Sequence, residues 1–173
     1  MKLTWVLLTV VIAVILQVTL ARYTVGGRWV FDLVLVGVVF AALQWGAVAG
    51  IFSGTMGGLL QDMLAGGVVG VGGLAKTLIG FVAGVVGTQF VLARPHARTI
   101  IVVVATVVHR IIVLGMFGLI DQRWPSISWG AMLGEIALNG LAGLIAFQAT
   151  SAVPGMMSRQ RMRRRTSVTR RQW

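Results

Sequence analysis

Five charged residues lie inside otherwise apolar stretches and are the main candidates for chemistry: Asp32, Asp62, Lys76, Arg110 and Glu135. A charge at the centre of a membrane helix costs on the order of 2.5–3.5 kcal/mol, so each should be paired or face a cavity. One interpretation is a set of ion pairs that align the helices. The other is a polar pocket, open to the outside, that binds a partner or a small ligand.

The order of these charges along the chain predicts which of them meet. If the chain crosses the membrane six times from inside the cell, a rise of ~1.5 Å per residue places four of the five in the outer half. We expect Asp62 to pair with Lys76, and Arg110 to reach Glu135 along its long stem. His109 adjoins Arg110, but consecutive helical residues point apart, so the two are not expected to form one site.

The remaining residues do not resemble the machinery of an enzyme. The chain has no Cys, which excludes disulfides and Cys-ligated zinc. Lys76-Thr77 lacks the preceding Gly of a phosphate-binding loop. The acidic residues are too sparse for a hydrated metal site, and a proton relay would need carboxylates and His in a chain across the membrane. We therefore predict no catalytic residue, no metal and no cofactor.

The composition predicts that lipid surrounds much of the protein. Hydrophobic residues make up 57% of the 173 residues, and charged residues only 11%. A soluble domain carries roughly a quarter charged residues, because water must wet its surface. The sequence therefore predicts an all-α membrane protein, a bundle of about six transmembrane helices.

Six apolar runs are long enough to be spans or nearly so, and they cover about residues 3–20, 29–44, 47–60, 74–92, 99–120 and 129–153. Trp45-Gly46 predicts a tight turn, and the five glycines within 61–73 predict a loop or a re-entrant bend. Pro within 94–98 predicts another loop. Pro154-Gly155 is expected to end the last span, which divides the chain into a transmembrane domain, 1–155, and an Arg-rich tail, 156–173.

Basic residues predict the orientation, because Lys and Arg favour the cytoplasmic side. With the N-terminus inside, ten basic residues lie in inner segments and three in outer loops. Both termini are therefore predicted to be cytoplasmic. Seven of the ten lie in the tail: Arg159, Arg161, Arg163, Arg164, Arg165, Arg170 and Arg171.

The tail is expected to lie on anionic lipid, which attracts each such charge by ~1 kcal/mol. An acidic protein surface is a second candidate partner. Nucleic acid is not expected, because neither a nucleic-acid-binding fold nor an aromatic platform accompanies the arginines.

Glycines recur at steps of four and predict close helix packing. Gly46, Gly50, Gly54 and Gly58 lie along one face of the third helix, Gly80 and Gly84 follow Lys76, and Gly130 and Gly134 lie on the last helix. A face without side chains lets another backbone approach. The neighbouring helix belongs either to this chain or to a partner.

Several segments together resemble a known family. They are Phe31-Asp32-Leu33, residues 42–46 (Ala-Leu-Gln-Trp-Gly), residues 57–62 (Gly-Gly-Leu-Leu-Gln-Asp), Gly70, and residues 74–81 (Leu-Ala-Lys-Thr-Leu-Ile-Gly-Phe). This pattern resembles the bacterial rod shape-determining protein family MreD over roughly residues 3–92. The second half is similar only in hydropathy.

The resemblance implies a non-enzymatic subunit of the cell-elongation machinery in the bacterial cytoplasmic membrane. Such proteins work beside MreC, near the MreB filament, RodA and its transpeptidase, and help control peptidoglycan synthesis. The family is also similar in architecture to the S-components of energy-coupling-factor transporters, so a vitamin-binding membrane component is the alternative. We expect MreC to dock on the outer half, against a glycine-lined groove beside Asp62, Lys76, Arg110 and Glu135.

Overall fold

A computed structural model describes residues 2–21, 31–66, 68–89, 95–121 and 128–169. Within them the chain forms six α-helices and no strand, which confirms the predicted fold class. The helices are α1 (Lys2–Ala21), α2 (Leu33–Trp45), α3 (Ala47–Ala65), α4 (Val71–Gln89), α5 (Pro95–Asp121) and α6 (Trp129–Thr169).

Four helices are long and apolar enough to cross a membrane. They are α1, α4, α5 and the part of α6 from Trp129 to Thr150. Helix α2 has only 13 residues, about 20 Å at 1.5 Å per residue, which is shorter than a bilayer core of about 30 Å. Since α2 and α3 form an antiparallel hairpin at Gly46, four crossings by the long helices would give an even total whether or not this hairpin spans.

The shortest helix occupies the centre of the bundle. Helix α2 contacts each of the other five helices, and Val34, Leu35, Val38 and Val39 on it are at most 1% exposed. A helix that is apolar on all sides is stable when other helices surround it. The outer helices instead present large apolar side chains, such as Leu119 at 82% exposure, to the surrounding lipid.

Glycines join α3 to α4 along a seam. A Cβ on Gly50 would collide with the carbonyl group of Gly80, and one on Gly54 would lie 2.5 Å from the carbonyl oxygen of Lys76. At Gly58 a Cβ would lie 2.5 Å from the Cα of Gly73. The glycine face therefore packs within this chain, and the glycine-lined groove predicted for a partner is filled by α4.

The turn between α3 and α4 is shorter than the sequence predicts. Helix α3 continues to Ala65 and α4 begins at Val71, so Gln61 and Asp62 are helical and not part of a loop. The prediction was wrong because Gly72 and Gly73, which favour loops in water, allow the close helix packing of a membrane bundle. The predicted turn at Gly46 is present, with φ of +92°.

Two prolines do not end helices as predicted. Pro95 is the first residue of α5, where its fixed φ fits the helix and the missing N–H has no partner to lose. Helix α6 continues past Pro154 and Gly155 to Thr169. A proline removes one N–H and strains one turn, which a long helix can absorb. The division at residue 155 stays a prediction.

The seam predicts a difference between two Gly→Ala variants. Gly54→Ala should destabilise the protein by roughly 1–3 kcal/mol, because the added methyl group forces two backbones apart. Gly115→Ala is the control, since a Cβ at Gly115 meets no heavy atom of the described residues within 4 Å. Thermal unfolding in mild detergent measures both. Equal unfolding midpoints would show that the seam is not tightly packed.

An even number of crossings, together with the predicted cytoplasmic termini, predicts where introduced cysteines react. The chain has no Cys, so Thr24→Cys, Ser126→Cys and Thr166→Cys each provide a single labelling site. In intact spheroplasts an impermeant maleimide should label the first two variants, and label Thr166→Cys only after the membrane is opened. Labelling of Thr166→Cys together with Thr24→Cys from outside would contradict this topology.

Candidate functional site

The structure brings all five predicted charges together at one end of the bundle, around a buried ion pair. Nζ of Lys76 on α4 lies 2.7 Å from Oδ2 of Asp32 at the start of α2, and both side chains are almost fully buried. The prediction that Lys76 pairs with Asp62 was therefore wrong. Asp32 precedes the central helix, so its carboxylate faces the interior of the bundle, where Lys76 also points.

The backbone around Asp32 is held by its own side chain and by amide side chains from two other helices. Its Oδ1 accepts a hydrogen bond from the backbone N–H of Leu35 at 2.9 Å, which caps the N-terminus of α2. Its own N–H donates to Oδ1 of Asn139 on α6 at 2.8 Å. On α1, Gln17 donates to the carbonyl of Phe31 and accepts from the N–H of Leu33. A helix start inside a membrane protein needs such partners, because lipid offers none.

Gln17 and Asn139 are site residues that the sequence reasoning missed. Each is at most 1% exposed, and each is an amide inside an apolar helix. An amide inside an apolar helix is the sequence feature that could have identified them, since a buried amide in a membrane helix needs a partner on another helix. Asn139 also donates to Oγ1 of Thr106 on α5 at 3.2 Å, so it joins three helices.

His109 belongs to the same cluster, although the sequence predicted that it would not share a site with Arg110. Its Nε2 lies 3.1 Å from Nζ of Lys76 and 3.9 Å from Oδ2 of Asp32. An ammonium group can only donate, so Nε2 accepts and the ring proton is on Nδ1. His109 and Arg110 do point in different directions, but both line one cavity.

The second predicted ion pair is present in a loose form. Nη2 of Arg110 lies 3.5 Å from Oε2 of Glu135, a distance that gives charge attraction without a good hydrogen bond. The Arg110 side chain is 35% exposed and that of Glu135 only 6%. This pair joins α5 to α6 in the same half of the bundle as the Asp32–Lys76 pair.

Asp62 closes the turn between α3 and α4. Its Oδ2 accepts hydrogen bonds from the N–H groups of Gly70 at 2.9 Å and Gly73 at 3.1 Å. These bonds satisfy backbone donors at the start of α4. Asp62, which the sequence predicted as the partner of Lys76, thus stabilises a turn. Lys76 pairs with Asp32 instead.

A cavity of about 280 Å³ lies beside this network. All five predicted charges line it, together with Gln61, His109 and an apolar wall that includes Phe31, Val113 and Phe117. That this cavity binds a partner or a small ligand stays a prediction. We name the charged and polar residues around it the outer cluster, after the orientation that the sequence predicts: Asp32, Gln61, Asp62, Lys76, His109, Arg110 and Glu135.

The remaining predicted residues lie elsewhere. Gly84 on α4 packs against the backbone of Gly46 and Ala47, where a Cβ would collide. A Cβ on Gly130 would meet nothing within 4 Å among the described residues. The arginine side chains of the tail lie outside the described side chains, so lipid binding by the tail stays a prediction.

A comparison with known families gives one match. The family model described as rod shape-determining protein MreD matches residues 1–145. This match extends beyond the residues that carried the resemblance and includes α5 and residues 129–145 of α6. No curated protein and no solved structure matches the chain, so the similarity to S-components stays a prediction.

The buried pair predicts a non-additive pair of substitutions. Lys76→Met should destabilise the protein by roughly 3–5 kcal/mol, because it leaves the Asp32 carboxylate buried without a cation. Adding Asp32→Asn should recover part of that loss, since the amide carries no charge. Unfolding free energies of the single and double variants in detergent form the cycle. Additive losses would show that the two side chains do not interact.

Proposed function

Because the chain belongs to the MreD family of rod shape-determining proteins, we propose that it is a non-enzymatic membrane scaffold of the bacterial cell-elongation complex. In this proposal it lies in the cytoplasmic membrane with both termini in the cytoplasm. It binds MreC and thereby helps control peptidoglycan synthesis. MreB, RodA and its transpeptidase are further proposed neighbours. The family match is the observation that carries the proposal.

The internal use of the polar groups supports a scaffold. Asp32, Lys76, Gln17 and Asn139 bind one another or the backbone, and so hold α1, α2, α4 and α6 in fixed relative positions. Residues whose hydrogen bonds are used internally give a rigid body and not a reactive surface. A rigid outer end could hold a partner in one orientation.

The proposed docking surface is the exposed end of α3 with the turn that follows it, which we name the outer rim: Met63, Leu64, Val68 and Val69. Their exposed fractions are 66%, 59%, 46% and 56%. Met63 and Leu64 follow Asp62 in the chain, and Val68 lines the same cavity as the partly exposed Arg110. An apolar patch with charged neighbours suits a protein interface. We propose that the membrane helix of MreC, or its periplasmic base, packs on this rim.

The alternative, a vitamin-binding transporter component, is favoured by the cavity alone. Sites for drug-sized ligands occupy roughly 300–1,000 Å³, and this cavity measures about 280 Å³. It therefore lies at the lower limit of the volumes typical for such ligands. A scaffold function agrees with both the family match and the internal hydrogen bonds of the polar residues.

Copurification with MreC in mild detergent tests the proposal. The variant Val68→Ser/Val69→Ser should retain roughly a tenth or less of the MreC that the unchanged chain retains, because two apolar contacts are lost. Its control, Val48→Ser/Val82→Ser, changes two exposed valines at the opposite end of α3 and in the other half of α4. It should retain MreC normally.

Two outcomes would contradict the proposal. Loss of MreC from the control variant alone would place the docking surface away from the outer rim. Retention of a vitamin-like ligand by the purified chain, with no stable MreC complex, would favour the transporter component.

A further inference from the structure

Three buried polar atoms beside the cavity are not used by the network. Oε1 of Gln61, Nδ1 of His109 and Oε2 of Glu135 make no hydrogen bond within the described part of the chain. All three residues line the cavity of about 280 Å³. Proteins leave few buried polar atoms unpaired, so three around one space call for an explanation.

The chemistry of these atoms indicates what would complement them. The amide oxygen of Gln61 and the carboxylate oxygen of Glu135 are acceptors. Glu135 is only 5% exposed, and its contact with Arg110, at 3.5 Å, leaves that oxygen without a hydrogen bond. Nδ1 of His109 carries the ring proton, because Nε2 faces the ammonium of Lys76. A complementary group must therefore bring at least two N–H or O–H donors for the two oxygens, while the N–H of His109 needs an acceptor, which a water molecule beside that group can provide.

The charge of the lining selects a cation among such donors. Three carboxylates face two cations around the cavity when His109 is neutral. The charge of Lys76 is balanced by Asp32 at 2.7 Å. Of the remaining charges, the two carboxylates of Asp62 and Glu135 face the single cation Arg110. A positive group entering here is attracted by the net negative charge, and the weak screening in a buried site strengthens that attraction. An anion would be repelled.

We propose that the cavity binds one organic cation, an ammonium or guanidinium group on a short apolar stem. Glu135 and Gln61 accept its N–H groups, and the apolar wall of Phe31, Val113 and Phe117 contacts the stem. The volume fits one such group with a few carbons. The group comes either from a free small amine or from a Lys or Arg side chain of a membrane partner. Binding of the group itself does not depend on the proposed scaffold function.

Titration of the full chain in an uncharged detergent and an amine-free buffer tests this proposal. The probe is n-propylammonium, and 1-propanol is its neutral equivalent with the same number of heavy atoms. Protein-observed NMR should show saturable binding of the cation, with at least tenfold weaker binding of the alcohol.

Two variants locate the site. Gln61→Met and Glu135→Gln should each weaken propylammonium binding at least fivefold. Gln61→Met removes an acceptor without changing any charge, so it decides the matter even if Glu135→Gln does not fold. The control is Gln44→Met, the same change at a half-buried position on α2 at the opposite end of the bundle. It should bind the probe normally.

The results also distinguish the two sources of the cation. Release of copurified MreC by saturating propylammonium supports a partner side chain, and unchanged probe binding by the MreC complex supports a free amine. The proposal is overturned if propylammonium does not saturate, if 1-propanol binds equally well, or if Gln44→Met weakens binding as much as Gln61→Met. Each of these results would show that the cavity is not a cation site.

Discussion

The ion pair between Asp32 and Lys76 constrains the whole arrangement, because hydrocarbon cannot solvate either charge. Both side chains are buried, so the helices that carry them must remain in contact. Gln17 and Asn139 then satisfy the backbone at the start of α2, and His109 accepts from the lysine. Five helices are thus fixed at one end by contacts that converge on a single carboxylate and its neighbouring peptide groups.

The rest of the bundle fits around this point. Helix α2 can be short and apolar on every side because five helices surround it. Helix α3 contributes through shape, since Gly50, Gly54 and Gly58 bring its backbone against α4. In lipid there is little hydrophobic drive between helices, so close packing and internal hydrogen bonds must supply the stability. The protein uses packing along the α3–α4 seam and hydrogen bonds at the outer cluster.

The proposed functions follow from what this framework leaves unused. The outer rim is exposed and apolar, and it is held rigidly by Asp62 through the turn. Beside it, Gln61 and Glu135 keep acceptors that no group in the described residues fills. A scaffold of the MreD family that presents both a rim and a small cation site would recognise a partner by shape and by charge. The two features lie at the same end, so one partner could engage both.

The sequence alone determined the membrane environment, the fold class, the family resemblance and the pairing of Arg110 with Glu135, because hydropathy, glycine spacing and the rarity of charges are local properties. It predicted the wrong partner for Lys76, separate sites for His109 and Arg110, and a loop where α3 and α4 continue. Those errors share a physical reason. Packing between segments that are distant in the sequence decides which helix lies at the centre. Only the tertiary structure shows that the shortest helix is central and that Asp32 therefore faces Lys76.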